Sequence, residues 1–316
     1  MDRPESQYQI AEQRVFAAHG LRSTVQTFAL GNPVHVRSVE TGDGKAVVFL
    51  HGFGLCSAHW APLWERLGGF RCIALDQPGH AGTSGVDFRD TNLRSWYRDF
   101  LVRCLDNLGL GSVHLVGHSQ GAMQALWLAL DAPARVKSVV AIGTPAVAFG
   151  AELRGLRVFA HPLLGRLMLS MPKPARAYKS ILRGTIGAGA VAKASDDLIR
   201  ATYLATRAPG FGSTVCTYMR RMFIPANPEM PHYALSDAEL GHVRQPVTVV
   251  IGDEERFQPP SDVAARVSHL PNARLTQVPG GHEPWLDDVE ACSAQVSAAL
   301  RGPMAATDWN RSAVLS

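Results

Sequence analysis

One stretch of sequence decides the fold of this chain: Val113-His-Leu-Val-Gly-His-Ser-Gln-Gly-Ala-Met-Gln-Ala-Leu-Trp-Leu-Ala-Leu130. A short apolar run is followed by Gly117-x-Ser119-x-Gly121 and then by apolar residues at helical spacing. This order predicts a strand, a very tight turn and a helix. A serine at such a turn adopts a strained conformation that lifts its hydroxyl clear of the sheet edge, and flanking glycines avoid collisions with the neighbouring backbone.

Length and composition are those of a globular protein. The chain has 316 residues, 46% of them hydrophobic and 18% charged, which is enough for one large domain with an insertion or for two domains. The net charge is only +4 and the basic residues form no run, so nucleic acid is an unexpected partner. No signal peptide, membrane span or paired cysteine spacing is visible. We therefore expect a cytoplasmic protein with buried free thiols.

Strands and helices alternate along most of the chain. Besides the strand that begins at Val113, apolar or alternating runs predict strands at 24–30, 34–39, 46–50, 72–75, 136–142, 246–251 and 274–278. Such alternation is typical of a parallel sheet with right-handed crossovers. The first two strands, separated by Gly31-Asn-Pro33, are expected to form an antiparallel hairpin at the sheet edge.

The pattern changes between residues 145 and 242. Helical patches follow one another there without a convincing strand, at 153–159, 163–169, 195–207 and 214–223. We interpret 145–242 as a helical cap inserted into an α/β core that comprises 23–144 and 243–301. Residues 1–22 are expected to form a helical appendage and 302–316 a loosely ordered tail. Most apolar side chains of the insertion would form its own core, and the rest would line a substrate pocket.

Three reactive groups directly follow predicted strands. They are Ser119, an acid within Asp253-Glu-Glu255, and His282. Loops that follow parallel strands lie at one edge of the sheet, so these side chains can converge there. The order serine, acid, histidine is the order in α/β-hydrolases and differs from the orders in chymotrypsin-like and subtilisin-like enzymes. A glycine-rich loop, His51-Gly-Phe-Gly54, follows another buried strand and allows backbone amides to approach a ligand.

With these motifs the chain resembles an α/β-hydrolase-fold serine hydrolase of the esterase type with a helical cap. The resemblance covers about residues 24–301. It rests on five motifs in the family's order: His51-Gly-Phe-Gly54, Asp76-Gln-Pro-Gly-His80, Gly117-His-Ser-Gln-Gly121, Gly252-Asp-Glu-Glu255 and Pro279-Gly-Gly-His-Glu-Pro-Trp285. It implies a mostly parallel central sheet flanked by helices and an α-helical cap. It also implies that no cofactor and no metal take part.

The resemblance assigns roles to four residues. Ser119 would be the nucleophile, which is too weakly acidic to attack until a base takes its proton. His282 would be that base and would then protonate the leaving group. The backbone amides of Phe53 and Gln120 would form the oxyanion hole.

The acid that orients His282 is where the sequence departs from the family. Family members usually have aspartate three residues after the glycine that ends the strand, and Glu255 occupies that position here. Asp253 is the alternative, although it lies nearer the strand end. We favour Glu255, because Phe257-Gln-Pro259 keeps the family's spacing to proline. A glutamate can orient the imidazole if the loop backs off by about one methylene.

Two further side chains flank these groups. His118 precedes the predicted nucleophile, and Trp285 follows His282 by three residues. Each is a candidate pocket residue, and each is also a candidate packing residue.

The residues and the resemblance together predict a carboxylesterase-like enzyme. It would cleave an apolar small-molecule ester, thioester or lactone through an acyl-enzyme. One alternative is a hydrolase of carbon–carbon bonds of the meta-cleavage-product type, because Glu255-Arg-Phe-Gln-Pro259 resembles the Asp-Arg-Phe-x-Pro stretch of that group. That group usually has asparagine before the serine and tryptophan after the histidine, where this chain has His118 and Glu283. A non-catalytic ligand receptor with the same fold is the other alternative.

Overall fold

The computed structural model describes residues 4–31, 34–151, 153–223 and 233–302. Eight strands form a single sheet: β1 Thr24–Ala29, β2 His35–Thr41, β3 Lys45–Leu50, β4 Phe70–Leu75, β5 Val113–His118, β6 Val136–Ile142, β7 Val247–Gly252 and β8 Ala273–Val278. Their order is β1-β2-β4-β3-β5-β6-β7-β8. The pairs β1–β2 and β2–β4 are antiparallel, and all other neighbours are parallel. The predicted α/β class and edge hairpin are confirmed, although Asn32 and Pro33 of the hairpin lie outside the described residues.

Helices cover both faces of the sheet and fill the connection between β6 and β7. They are α1 Pro4–Ala18, α2 Ala61–Glu65, α3 Leu93–Asn107, α4 Gln120–Asp131, α5 Leu164–Ser170, α6 Ala175–Thr185, α7 Ala188–Lys193, α8 Asp196–Ala205, α9 Phe211–Phe223, α10 Asp237–His242, α11 Pro260–Val267, α12 Pro284–Asp287 and α13 Val289–Arg301. Short 3₁₀ helices occur at Ser57–Trp60, Pro133–Arg135 and Arg154–Ala160. None of the helices in the described ranges is long and apolar enough to cross a membrane.

The central strands are apolar throughout because both of their faces are buried. Along β3, Val48 and Leu50 belong to the core on one side of the sheet, and Val47 and Phe49 belong to the core on the other side. A strand between two helical layers has no solvent face, so its sequence shows a continuous apolar run.

The five cysteines are also buried, and none forms a disulfide within the described chain.

The insertion between β6 and β7 is helical, as the sequence predicts, but it contains helices beyond the four expected patches. Four helical patches were expected, and the first of them is a 3₁₀ helix. Helices α6, α7 and α10 were not expected. In α6 only Tyr178 and Leu182 are buried, while Ile181 is 45% exposed. Tyr178, Ile181 and Leu182 nevertheless stand at i, i+3 and i+4, the spacing of an amphipathic helix, so the sequence does carry a signal for α6.

The N-terminal helix α1 packs against both the sheet layer and the inserted helices. Tyr8, Val15 and Phe16 are buried, whereas Ile10 is 45% exposed. The helix also contacts α8 of the insertion. The N-terminal helix, which we expected as an appendage, therefore contacts both the α/β core and the helical insertion.

Helix α1 also contributes to a buried ionic network that the sequence did not indicate. Arg37 on β2 donates through Nη1 to Glu12 Oε1 at 3.1 Å and to Asp76 Oδ2 at 2.6 Å. Tyr8 donates its hydroxyl to Glu12 Oε1 at 2.7 Å. Burial lowers the pKa of Arg37, but the negative groups around it raise that pKa further, so the net shift is upward and the guanidinium stays charged. The network ties α1 to the loop after β4.

Candidate active site

Ser119 lies at a strained turn between β5 and α4. Its φ is 51° and its ψ is −108°. Among the described non-glycine residues only Ser119 and Ala81 have positive φ. A Cβ at Gly117 would lie 2.5 Å from the Gly121 carbonyl carbon, and a Cβ at Gly121 would lie 2.0 Å from the Leu50 carbonyl oxygen. Both glycines are therefore needed for the turn to pass so close to its neighbours, and the strain at Ser119 is of the kind found at functional sites.

Ser119 and His282 line the same cavity. Its other described walls come from the loops after β3 and β6, from the start of α4, from the inserted helices and from the loop after β7: Phe53, Leu55, His118, Gln120, Met123, Pro145, Ala146, Val147, Leu153, Leu156, Thr185, Ile186, Tyr218, Met219, Met222, Phe223 and Phe257. No hydrogen bond joins the Ser119 hydroxyl to His282 within the described structure. Such bonds are often long in enzymes without substrate.

Glu255 holds the His282 ring from the side away from the cavity. His282 Nδ1 lies 2.8 Å from Glu255 Oε2 and 3.0 Å from Oε1. Both side chains are buried. With Nδ1 bonded to the carboxylate, the neutral ring carries its proton on Nδ1 and leaves Nε2 free to accept a proton. This is the tautomer that a general base for a serine hydroxyl requires.

Glu255 is also fixed by three backbone amides. Thr144 N donates to Oε2 at 3.0 Å, and Arg256 N and Phe257 N donate to Oε1 at 2.9 and 3.0 Å. Burial of Glu255 raises its pKa, but the hydrogen bond and charge of His282, together with backbone amides, lower it further. The net shift in pKa is downward, so Glu255 is ionised at neutral pH.

Asp253, the alternative acid, does not contact His282. Its side chain is exposed, and its Oδ1 accepts a hydrogen bond from the Gly280 backbone amide at 2.9 Å. Asp253 lies next to Gly252, where β7 ends, and its side chain is directed to the loop after β8 rather than to the cavity. Its environment is that of a loop-stabilising residue.

The backbone amides of Phe53 and Gln120 have no acceptor among the described residues. Both residues line the cavity. Gln120 is the first residue of α4, so its N–H is one of the groups that a helix leaves unbonded at its start. Two unbonded donors beside Ser119, one of them at the positive end of a helix, are suited to a developing negative charge.

His118 lines the cavity and supports the main chain at His282. Its Nε2 lies 3.0 Å from the His282 carbonyl oxygen, which can only accept, so Nε2 carries a proton. Burial, reinforced by the nearby His282 ring, lowers the pKa of His118 well below its usual value. The ring is therefore neutral and positions the backbone of His282.

Trp285 does not line the cavity, which corrects its candidate role as a pocket wall. It is 1% exposed, and its ring stacks on Trp60 with a centroid distance of 4.9 Å. Its Nε1 donates to the His59 carbonyl oxygen at 2.8 Å. The proline before it starts a short helix that turns the indole into the core, so Trp285 is a packing residue.

A buried polar chain behind His282 was not identified from the sequence. Glu283 is fully buried, and its Oε2 lies 3.1 Å from His59 Nδ1. His59 Nε2 donates to Thr202 Oγ1 at 2.7 Å, because the Thr202 hydroxyl itself donates to the Leu198 carbonyl oxygen. Thr202 belongs to α8, so the residue after His282 is linked to the insertion. His59 and Glu283 are 224 residues apart, and no spacing in the sequence signals such a pair.

The fold agrees with comparisons to known proteins. A family model described as alpha/beta hydrolase fold matches residues 45–169. A crystal structure of carboxylesterase CesB from Bacillus subtilis superposes with a TM-score of 0.76 at 22% identity, covering 95% of this chain and 99% of that one. This chain has the α/β-hydrolase fold. A serine nucleophile in that fold lies on a strained strand-to-helix turn, and Ser119 lies on such a turn between β5 and α4.

Sequence relatives of this α/β-hydrolase-fold protein have varied names. The dihydrolipoyllysine-residue acetyltransferase component of acetoin cleaving system from Cupriavidus necator is 38% identical over 125 residues, covering 39% of this chain and 32% of that protein. A pimeloyl-[acyl-carrier protein] methyl ester esterase from Nitrosomonas europaea is 28% identical over 267 residues, covering 80% of this chain and 94% of that protein. The chain spans 32%, 44% and 42% of the length of the first three curated relatives that it matches.

Proposed function

We propose that this protein is a serine hydrolase that cleaves a carboxylic ester through an acyl-enzyme intermediate. One observation carries the proposal. The strained Ser119 shares a cavity with His282, whose Nδ1 is held at 2.8 Å by the buried carboxylate of Glu255. Support also comes from a methyl ester esterase that matches over most of its length and from a carboxylesterase of similar structure.

In the acylation step, Ser119 Oγ attacks the ester carbonyl carbon while His282 Nε2 takes the hydroxyl proton. The tetrahedral intermediate carries a negative oxygen, which accepts hydrogen bonds from the amides of Phe53 and Gln120. Each such donor contributes about 2.7–4 kcal/mol to transition-state stabilisation. The carbon–oxygen bond to the leaving group then breaks, His282 returns the proton to the departing alcohol, and Ser119 keeps the acyl group.

In the deacylation step, water replaces the serine hydroxyl as nucleophile. His282 Nε2 takes a proton from the water, the second tetrahedral intermediate uses the same two amides, and the proton then passes to Ser119 Oγ as the acid product leaves. Glu255 remains ionised throughout and stabilises the imidazolium form of His282 in both steps.

The cavity favours an uncharged, apolar substrate. The described lining residues include no aspartate, glutamate, lysine or arginine, and most are aliphatic, aromatic or methionine side chains. A substrate carboxylate placed against these walls would lose its hydration without gaining a charged partner, which costs several kcal/mol. Methionines at 123, 219 and 222 can adapt to acyl chains of different shape.

Labelling with a fluorophosphonate tests this proposal. We expect the wild-type chain to react stoichiometrically and the Ser119→Ala variant not to react. Ser261→Ala, which changes an exposed serine at the start of α11, is the matched control and should label fully. An unreactive wild-type protein would instead favour a non-catalytic receptor.

A panel of p-nitrophenyl esters of graded chain length then defines the reaction. Neutral acyl groups should be cleaved much faster than acyl groups of equal length that end in a carboxylate. Cleavage of a carbon–carbon bond beside a carbonyl, without cleavage of any ester, would instead support a hydrolase of the meta-cleavage-product type.

A further inference from the structure

Helix α5 and the two residues that flank it expose an unusually apolar face. The exposed fractions are 79% for Leu163, 46% for Leu164, 57% for Leu167, 37% for Met168 and 52% for Met171. The positions i, i+4 and i+8 and the positions i+1 and i+5 lie on one side of a helix. We refer to these five residues as the apolar ridge. Single exposed apolar residues are ordinary, but a contiguous patch of them marks an interaction site.

The ridge faces outward because the opposite side of α5 is fixed by packing. Gly165 is buried, and a Cβ there would lie 2.3 Å from the Phe159 carbonyl oxygen. Leu169 packs against the main core, and α5 contacts α9. Rotating the helix to bury the ridge would break this close backbone contact. The apolar ridge therefore has no partner among the described residues of this chain.

A basic cleft adjoins the same helix. Its described walls include Arg166 of α5, Arg220 of α9 and Arg89, together with Ser213. Arg166 and Arg220 form no ion pair with any residue that the structure describes, whereas Arg89 is bonded to Asp87. We refer to this surface as the basic cleft. Unpaired guanidinium groups beside hydroxyl-bearing residues suit the oxygen atoms of a phosphate.

The insertion as a whole has a charge opposite to that of the rest of the chain. Residues 145–242 contain twelve lysines and arginines and six acids, a net charge of +6. Because the whole chain has a net charge of +4, the remainder is −2. Basic residues that form no run in the sequence are thus concentrated in the helical insertion.

We propose that the apolar ridge and the basic cleft dock this protein on an anionic lipid bilayer. The ridge would enter the boundary between head groups and acyl chains, and Arg166 and Arg220 would bind lipid phosphates. A membrane surface supplies both an apolar layer for the exposed ridge and negative charge that attracts the +6 insertion. A symmetric contact with a second copy would bring two such insertions together and is opposed by their charges.

Vesicle flotation of the full chain tests this docking. The vesicles contain phosphatidylcholine alone or phosphatidylcholine and phosphatidylglycerol in roughly a 2:1 ratio. We expect binding to the mixed vesicles, weak binding to phosphatidylcholine, and release as salt screens the charges. The variants Leu163→Gln/Leu167→Gln and Arg166→Gln/Arg220→Gln should each lower partitioning about tenfold or more.

A matched variant separates docking from general loss of apolar surface. Ile10 and Val25 are 45% and 44% exposed and lie outside the insertion, so Ile10→Gln/Val25→Gln should bind vesicles as the wild type does. The ridge residues and both arginines lie outside the cavity lining, so all three variants should keep the wild-type unfolding temperature and any wild-type esterase rate on a soluble ester.

Several outcomes would overturn the inference. One is the absence of binding to mixed vesicles, and another is equal binding by wild type and the ridge variant. A wild-type dimer in light scattering that the ridge variant loses, without vesicle binding, would show that a second copy covers the ridge. Binding of inorganic phosphate at the basic cleft, without vesicle binding, would show that the ligand of the cleft is a soluble anion.

Discussion

Replacing Glu255 with glutamine removes one negative charge and preserves the shape of the side chain. The two carboxylate oxygens of Glu255 accept hydrogen bonds from four donors. These are His282 Nδ1 at 2.8 Å and the backbone amides of Thr144, Arg256 and Phe257 at 2.9–3.0 Å. A glutamine has a single carbonyl oxygen. Its NH₂ group must therefore face at least one N–H donor, whichever way the amide is turned.

The expected effect on catalysis is large. When His282 takes the serine proton it becomes an imidazolium, which the carboxylate stabilises and an amide does not. In the best-studied triad the equivalent change lowers kcat by about 10⁴, which corresponds to about 5.4 kcal/mol. We expect a similar loss in kcat here, with little change in KM because Glu255 lies behind the ring. In the variant the glutamine NH₂ group faces an N–H donor that has lost its acceptor. This should also lower the free energy of unfolding by about 1–3 kcal/mol.

The assay is hydrolysis of a neutral p-nitrophenyl ester, with Asp253→Asn as the matched control. Asp253 is exposed and accepts one bond, from Gly280 N at 2.9 Å, which an asparagine oxygen can also accept. We expect its kcat to stay within about twofold of wild type, as for surface substitutions in general. A large loss in Asp253→Asn together with a small loss in Glu255→Gln would refute this assignment of the acid.

The stability of the Glu255→Gln variant relative to wild type should depend on pH. Burial raises the pKa of Glu255 and its hydrogen bonds lower it, with a net shift below the usual value of 4.5. A carboxyl with a depressed folded-state pKa stabilises the fold above its unfolded-state pKa, and this contribution disappears as the pH falls through the folded-state value. The difference in unfolding free energy between wild type and Glu255→Gln should therefore shrink below pH 4.5 in urea titrations. A constant difference across that range would contradict the shift.

Three stability predictions follow from other parts of the fold. Gly121→Ala would place a Cβ 2.0 Å from the Leu50 carbonyl oxygen, so thermal unfolding should show a loss of about 2–4 kcal/mol. Glu12→Ala leaves the buried Arg37 partly unpaired, and urea titration should show a loss of about 3–5 kcal/mol. Asn92→Ala removes the side chain that caps α3, and the expected loss in the same assay is about 1 kcal/mol.

Each of these substitutions has a control in the same chain. A Cβ at Gly111 would meet nothing within 4 Å, so Gly111→Ala should change stability by less than about 0.5 kcal/mol. Glu290 is a 72% exposed acid in an ion pair, and Glu290→Ala should cost at most about 1 kcal/mol. Asn92→Ser keeps an acceptor and should restore most of the cap. If a control substitution lowered the free energy of unfolding as much as the substitution it is paired with, the structural reason given for that substitution would be wrong.

Much of the candidate site follows from short stretches of sequence. The turn at Ser119 is indicated by the glycines at 117 and 121, because only they allow the backbone contacts that the turn makes. The position of His282 follows from its place directly after a strand. The acid that pairs with His282 is harder to identify from the sequence. Asp253 and Glu255 both follow β7, and only the direction of each side chain distinguishes them.

By itself, the sequence of this protein determined the strands, the strained turn and the order of the reactive groups, because steric contacts and apolar periodicity act between residues close in the chain. Only the tertiary structure decided which acid reaches His282, that Trp285 is a core residue, that Glu283 is linked to His59 across 224 residues, and that the apolar ridge faces outward. These contacts depend on how distant elements pack, and a single sequence contains no local pattern that encodes them.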